Sequence, residues 1–304
     1  MTRSSRQLML NAYRAGKVIP AFNIPYLPMV APIAQALVDT NAFGFIAVAR
    51  PEWIRFEAKS QEAVRDEYRK YYQEPWMRLH QDHVPVIDED NLRVDYLAIL
   101  QRAIDLGYDS IMVDGSRLPL AENIAATRQV VELAAPHGIA VEAELGAVLG
   151  HEAGPLLPYE ELFRTGKGFT SPAEAAQFVQ ETGVDWLSVA CGNIHGAIQG
   201  AAKDARKVEA RLSIPHLAEL KRVTGIPLVL HGGSGIARES ILAGVANGIA
   251  KINIGTEVRQ AYEQGLRESG SVEEARHRVY DRACYLIREV LEVENSRDVI
   301  NPAV

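Results

Sequence analysis

Eight short apolar runs, rich in β-branched and small residues, recur along the chain, and most are preceded by a stretch of helical periodicity. The runs are VIPAFNI (18–24), GFIAVA (44–49), MRLHQDH (77–83), SIMVDG (110–115), AVEAELG (140–146), WLSVAC (186–191), PLVLHGG (227–233) and IAKINIG (249–255). Between them PMVAPIAQALVDT, LAILQRAIDLG, NIAATRQVVELAAPHG, SPAEAAQFVQETG, HLAELKRVTG and RESILAGVANG place apolar residues at i, i+3 and i+4 and close on glycine or a turn residue. Strands that alternate with amphipathic helices imply βαβ units and a parallel sheet. Eight repeats suit a closed (β/α)8 TIM barrel better than an open doubly wound sheet, which would want a glycine-rich dinucleotide turn where AFNIPYLP stands. No interdomain linker interrupts the pattern. The expectation is therefore one barrel domain over residues 1–304, with an insertion near 84–96 and a helical extension from about 272.

A barrel enzyme carries its chemistry at the C-terminal ends of its strands. The polar residues at those ends are Asn23, Asp82 with His83, Asp114, Glu144, His195 just beyond strand six, His231, and Asn253 with Thr256. Of eight histidines, His137, His216 and His277 read as solvated surface residues. His80 lies two before Asp82, on the same strand face, and reads as a polar group of the barrel interior. His83, His195 and His231 follow strands three, six and seven. Three histidines at one rim, with Asp82 and Glu144 beside them, suit a catalytic zinc site with one position left open. In RLHQDHVPVIDED (78–90) the HQDH part then belongs to the site, and PVIDED is expected to be a solvated insertion.

Two glycine-bearing loops suggest an anionic ligand as well. HGGSG (231–235) precedes a helix, and NIGT (253–256) repeats the arrangement after strand eight. Freed backbone N–H groups and a helix dipole suit phosphate, and phosphate sites after strands seven and eight recur in barrels.

Composition narrows the class. A net charge of -7 with no basic stripe argues against nucleic acid as a partner. Cys191 and Cys284 make no disulfide framework, so a reducing cytoplasm is the expected compartment. The start MTRSSRQLML lacks the apolar run of a signal peptide, and no segment is long enough to suggest a membrane span.

The motifs LHQDH, MVDGSRLPLAENIAATRQVVELA, VEAELG, GFTSPAEAAQFVQETGVDWLSVACGNIHG, LVLHGGSGI and KINIGTEV together resemble the class II, zinc-dependent ketose-bisphosphate aldolases. The likeness runs from PAFNI to NIGTEVRQAY. It implies one zinc ion per chain on His83, His195 and His231, with Glu144 as an acid close to the metal, and it leaves room for a monovalent cation as a second cofactor. It implies Asp82 and Glu152 as the acid–base pair, and Asn23, Gly196, Gly232, Ser234, Asn253 and Thr256 as substrate- and phosphate-contacting positions. The expected partners are a phosphorylated sugar and further copies of the chain, in a dimer or tetramer.

The implied reaction is the reversible aldol cleavage of a ketose phosphate or bisphosphate through a zinc-stabilised enediolate. Zinc would act as Lewis acid on the ketone and hydroxyl oxygens. Asp82 would exchange the C4 hydroxyl proton and Glu152 the proton at carbon. A Schiff-base route would need a strand lysine, and Lys251 is the obvious one; the histidine set disfavours it. Two other readings are a non-catalytic sugar-phosphate-binding descendant and a metal-dependent barrel hydrolase. The retained Asp82 and Glu152 weigh against the first, and the lack of histidine in AFNIP weighs against the second. The chain also departs from the family pattern. Ile198 and Gln199 stand where a tyrosine and a phosphate-binding lysine are usual. Ala49 and Arg50 stand where a phosphate-binding serine is frequent, and Ala153 replaces a second loop acid.

Overall fold

A computed structural model describes residues 3–146, 159–193, 210–233 and 235–302. Eight parallel strands pair in sequence order and close on themselves: β1 (Ile19–Asn23), β2 (Gly44–Val48), β3 (Met77–Pro85), β4 (Ser110–Asp114), β5 (Ala140–Leu145), β6 (Trp186–Val189), β7 (Leu228–Leu230) and β8 (Ile249–Ile254). The pairing of β1 with β8, Ala21 opposite Asn253, shuts the barrel. The helices are α1 (Ser5–Ala15), α2 (Val30–Asp39), α3 (Arg50–Arg55), α4 (Gln61–Tyr71), α5 (Tyr96–Leu106), α6 (Leu120–Ala134) and α7 (Tyr159–Thr165). They continue with α8 (Pro172–Thr182), α9 (Ile214–Thr224), α10 (Arg238–Ala246), α11 (Thr256–Ser269), α12 (Val272–Tyr285) and α13 (Arg297–Ile300). The architecture is a (β/α)8 TIM barrel.

Local signals set the element ends. Ser171 caps α8 by accepting from the Glu174 amide, with Pro172 at the first turn, and Gly183 ends the helix in the left-handed region at φ 67°. Gly107 closes α5 in the same way at φ 81°. Helix α4 carries no sequence signature of comparable strength, because it buries only Gln61, Val64 and Tyr68. These positions keep helical spacing at i, i+3 and i+7, but the stripe is narrow and most of the other residues are charged, so it is less visible than in the neighbouring helices. The C-terminal stretch from Val272 is helical through Tyr285 and then widens into a π-helical turn over Leu286–Val290.

The apolar interior has two layers, as an inside-and-outside barrel requires. Between strands and helices lies a continuous layer that includes Phe22, Ile46, Leu79, Ile111, Val113, Val141, Leu187 and Leu230. Inside the barrel lies a smaller cluster of Ile19, Ala21, Phe43, Phe45, Ala47, Ala140, Trp186, Val229 and Ala250. Leu8, Met9 and Ala12 of α1 join that inner cluster, so α1 seals the end of the barrel where the strands begin. Above this floor the interior turns polar: His80, Ser110, Glu142, Ser188 and Lys251 are all fully buried. That change from apolar to polar along the axis points the reactive end towards the strand C-termini.

The segment after β3 differs from the expected solvated insertion. Pro85 still belongs to β3, and the Val86 amide donates to the Asp114 carbonyl at 2.9 Å. Ile87 bridges antiparallel to Arg93. The Asp88 carboxylate accepts from the Asp90 and Leu92 amides at 3.1 and 2.9 Å and meets Arg50 at 3.3 Å. A short side chain that satisfies two turn amides folds the segment into a stub instead of leaving it in solvent.

Because the floor and the site lie at opposite ends, they should separate experimentally. Leu8→Ala should lower unfolding free energy by about 2–5 kcal/mol, the usual range for a truncated core leucine, in urea titrations. Its turnover on whichever substrate the screen proposed below reveals should stay within about twofold of wild type, since the buried face of α1 packs on the apolar floor and not on the polar layer above it.

Candidate active site

The placement of neighbouring residues on β3 decides the geometry of the site. In a regular strand Asp82 and His83 would point to opposite faces. The β3–β4 register shifts between Gln81 and Val84, so three steps on β3 match two on β4. This bulge turns consecutive residues towards the same centre. Asp82 reaches Asn23 and Asn253, and His83 reaches Asp114 and His231.

Two imidazoles converge. His83 Nε2 and His231 Nδ1 face each other at 2.5 Å. The other nitrogen of each ring is held by a carboxylate: His83 Nδ1 by Asp114 Oδ2 at 3.3 Å, and His231 Nε2 by Glu142 Oε1 at 2.8 Å. Glu144 Oε2 lies 3.6 Å from His231 Nδ1 and accepts from Ser188 Oγ at 3.1 Å. Ligand-type atoms of Asp82, His83 and His231 fall within 4.8 Å of one another, as do those of His83, Asp114 and Glu144. Paired imidazole nitrogens, each fixed from behind by a carboxylate, form the donor arrangement that zinc sites use. The residues present therefore fit such an ion. His195, expected as the third histidine, lies outside the described residues, as do Glu152, Gly196 and Ser234, and with them Ile198 and Gln199.

The charges follow from crowding. Burial pulls the His83 pKa down, but Asp82, Asp114 and Glu144 carry it up to about 10. The surrounding carboxylates thus favour the charged form of His83, and that preference opposes binding of a cation by the same ring. Burial and the nearby His83 charge keep His231 low. Asp82 lies well below the usual carboxylate range: burial opposes ionisation, but His83, Lys251 and His231 outweigh it. Glu144 moves the other way, up to about 8, through burial and the Asp114 charge.

Two participants, Glu142 and Glu52, were not singled out in the sequence, and a third, Lys251, was named there only as the strand lysine of a disfavoured Schiff-base route. Glu142, two residues before Glu144 and on the same strand face, accepts from Trp186 Nε1 at 2.6 Å and from Lys251 Nζ at 2.8 Å as well as from His231. Its spacing from Glu144 in AVEAELG was the available signal. Lys251 is fully buried and also donates to Asn253 Oδ1 at 2.7 Å. Glu52 is buried at the end of β2, accepts from the Ala49 amide at 2.7 Å and faces Asn23. Nothing in ARPEW announced it, because its burial depends on α3 folding over the rim.

Of the expected substrate positions, Asn23 and Asn253 turn their amide nitrogens onto the two oxygens of Asp82, each at 2.8 Å. Gly232 sits in the left-handed region at φ 67°, so the backbone of the β7 loop favours glycine there, and a Cβ on Gly233 would come within 2.7 Å of the end of the Ile252 side chain. Thr256 opens α11, whose start lies over Asn23. Arg50, in place of the serine, is engaged by Asp88. His80 is interior, with Nδ1 2.9 Å from Ser110 Oγ. His216, expected to be solvated, is half-buried and contacts the Thr170 carbonyl through Nε2 at 2.8 Å.

Fold and donors together define the class: a (β/α)8 barrel with a cluster of imidazoles and carboxylates at its C-terminal rim. The sequence profile of the family described as Fructose-bisphosphate aldolase class-II matches residues 3–297. The chain belongs to that family, which supports an aldolase function. The YdjI aldolase of Escherichia coli K12 shares 26% identity and superposes with a TM-score of 0.75, covering 98% of this chain and 100% of that one. A Coccidioides immitis protein provisionally assigned as a fructose-1,6-biphosphate aldolase shares 26% identity at a TM-score of 0.76, covering 97% and 98%. The fructose-bisphosphate aldolase of Campylobacter jejuni, at 18% identity and a TM-score of 0.73 over 97% of each chain, has the same fold.

Two measurements probe this geometry. Asp114→Asn should weaken zinc binding by about 10- to 100-fold in chelator competition, the usual effect of removing a carboxylate behind a ligating imidazole; unchanged affinity would mean that Asp114 does not orient His83. Glu52 is pushed up to about 8, chiefly by burial and further by Asp82, against an ordinary value of 4.5. Its protonated form therefore favours folding, and that contribution is lost as pH rises from about 4.5 towards 8. Glu52→Gln stays neutral and keeps an acceptor for Ala49. The Tm of the metal-free variant should gain on wild type between pH 5 and 8 and then level off, whereas a pH-independent difference would mean that Glu52 is ionised throughout.

Proposed function

We propose that the protein is a metal-dependent class II aldolase that reversibly cleaves a ketose phosphate, or a related sugar phosphate, between C3 and C4. The carrying observation is the convergence of His83 Nε2 and His231 Nδ1 at 2.5 Å beside a buried Asp82 held by two asparagine amides. His83 and His231, with His195, would hold one zinc ion, and Glu144 stands next to them. When bound, zinc supplies Lewis acidity to the substrate's carbonyl and hydroxyl oxygens.

The chain's own groups account for the rest. In cleavage the carboxylate of Asp82 takes the proton from the C4 hydroxyl; in condensation it returns it. Asn23 and Asn253 keep its two oxygens aimed, so little reorganisation accompanies the transfer. Glu152 is assigned the proton at the enediolate carbon by the family pattern. Gly232, Gly233 and the first turn of α11 with Thr256 offer backbone amides to a phosphate. The family's action on phosphorylated sugars supports that class of substrate. Arg50 and Gln199, in place of two phosphate-binding side chains, favour a substrate other than a standard ketose bisphosphate.

The test is a retro-aldol screen of zinc-loaded protein against fructose-1,6-bisphosphate, tagatose-1,6-bisphosphate and non-phosphorylated ketoses, with triose detection. Triose release that chelator abolishes and zinc restores is expected. Release that survives exhaustive chelation would refute metal dependence. On whichever substrate is cleaved, Asp82→Asn should lower kcat by roughly two orders of magnitude or more, as for a lost general acid–base group, with metal content measured in parallel and retained.

A further inference from the structure

We infer that Lys251 is a positioning residue that couples the metal histidine to the base: through Glu142 it fixes the ring of His231, and through Asn253 it fixes the carboxylate of Asp82. The lysine Nζ lies 2.7 Å from Asn253 Oδ1 and 2.8 and 3.1 Å from the two oxygens of Glu142. An ammonium has three N–H groups, and here all three have an acceptor. Lys251 and Glu142 are completely buried, so no solvent molecule competes for these contacts.

The orientation of Asn253 follows from charge. Its oxygen faces the ammonium and its nitrogen faces Asp82 Oδ1 at 2.8 Å. The flipped amide would set NH2 against NH3+ and a carbonyl against a carboxylate, so one rotamer is strongly favoured. On the other branch, Glu142 accepts from Trp186 Nε1 at 2.6 Å and contacts His231 Nε2 at 2.8 Å. An ionised carboxylate at Nε2 selects the tautomer with its proton there, which leaves the Nδ1 lone pair for the cluster with His83. Lys251 is the counter-charge that permits Glu142 to sit in the barrel as a carboxylate.

The same ammonium answers a competing possibility. His80, Asp82 and Glu142 bring ligand-type atoms within 4.8 Å of one another, and His80 Nε2 has no hydrogen-bond partner. A metal there would stand against Lys251, which already serves Glu142. The deep cluster is therefore a lysine-neutralised support and not a second metal site.

The Asp82 branch rests on the aldolase reading; the His231 branch does not. The experiment uses Lys251→Met, which keeps chain length without charge, Asn253→Leu, and the two combined. Lys251→Met should lower kcat by about 10- to 100-fold with KM within about threefold of wild type. The double variant should be no worse than the poorer single variant, because both break one path. Zinc affinity of stripped and reloaded Lys251→Met, by chelator competition, should fall at least tenfold while that of Asn253→Leu stays near wild type. If Lys251→Met fails to fold with Glu142 left unpaired, Lys251→Met combined with Glu142→Gln removes both charges and should fold with the same low kcat and weak zinc binding. Wild-type kcat in the folded Lys251 variant, or a double-variant loss equal to the product of the single losses, overturns the Asp82 branch. Wild-type zinc affinity in that variant overturns the His231 branch whatever the wild-type protein cleaves, so a failed retro-aldol screen is told apart from a failure here.

Discussion

One extra residue in β3 governs the site. Without the register shift between Gln81 and Val84, strand alternation would send either Asp82 or His83 into the apolar layer beneath the helices. With it, the Asp82 carboxylate and the His83 imidazole turn towards the same centre. The bulge is stable because both sides of it are anchored. Gln81 donates to the Val48 carbonyl and to the Asp82 carbonyl, each at 2.8 Å, and accepts from Gln61 at 2.6 Å. Past the bulge, Val84 and Pro85 resume pairing with Val113 and Asp114. The strand thus runs beyond the site and carries the Asp88 stub on its far end.

Around that bulge the barrel interior departs from apolar packing, and desolvation sets what such a departure requires. An unpaired buried charge or amide is destabilising by several kcal/mol. Glu142 is matched by Lys251, Trp186 and His231, Asp82 by two asparagines, and Asp114 by His83 and Ser116. These partners lie on different strands, so the network also sets strand register near the site. Replacing one member shifts the others, which distinguishes this layer from the floor of Phe43, Phe45 and Leu8, where losses depend on volume.

The barrel was legible because its determinants are local: each strand is a short apolar run, and helices such as α1, α5, α8, α9 and α11 carry an apolar stripe and close on a left-handed glycine. Helix α4 was not, since its stripe is three residues wide in effect and its surface is charged. Among site residues, Asp82, His83, Glu144 and His231 could be picked out by type and by position at strand ends. Glu142 and Lys251 have the same period-two relation to Glu144 and Asn253, but nothing local says that a charged strand residue one layer deeper has a partner across the barrel. Glu52 depended on a helix folding over the rim. The bulge itself has no sequence signature here; it is visible only as pairing.

The rim around β2 and β3 bears on the substrate. Arg50 meets Asp88 through one guanidinium nitrogen at 3.3 Å, and Asp88, nearly closed off, also accepts from two amides, so part of the Arg50 charge is already committed to the stub. Arg55 ties the stub from the same helix, 3.7 Å from Glu89. Helix α3 therefore serves the stub with both arginines, and Glu52 at its start takes the Ala49 amide that an anion could otherwise use. In the proposed reading, support for an anion on the described side of the rim would come instead from the β7 loop and from the first turn of α11. Amides and a helix dipole hold an anion by shape and direction, with less net charge than a lysine or arginine brings. A pocket built this way discriminates more by where the anionic group sits than by how many charges it carries.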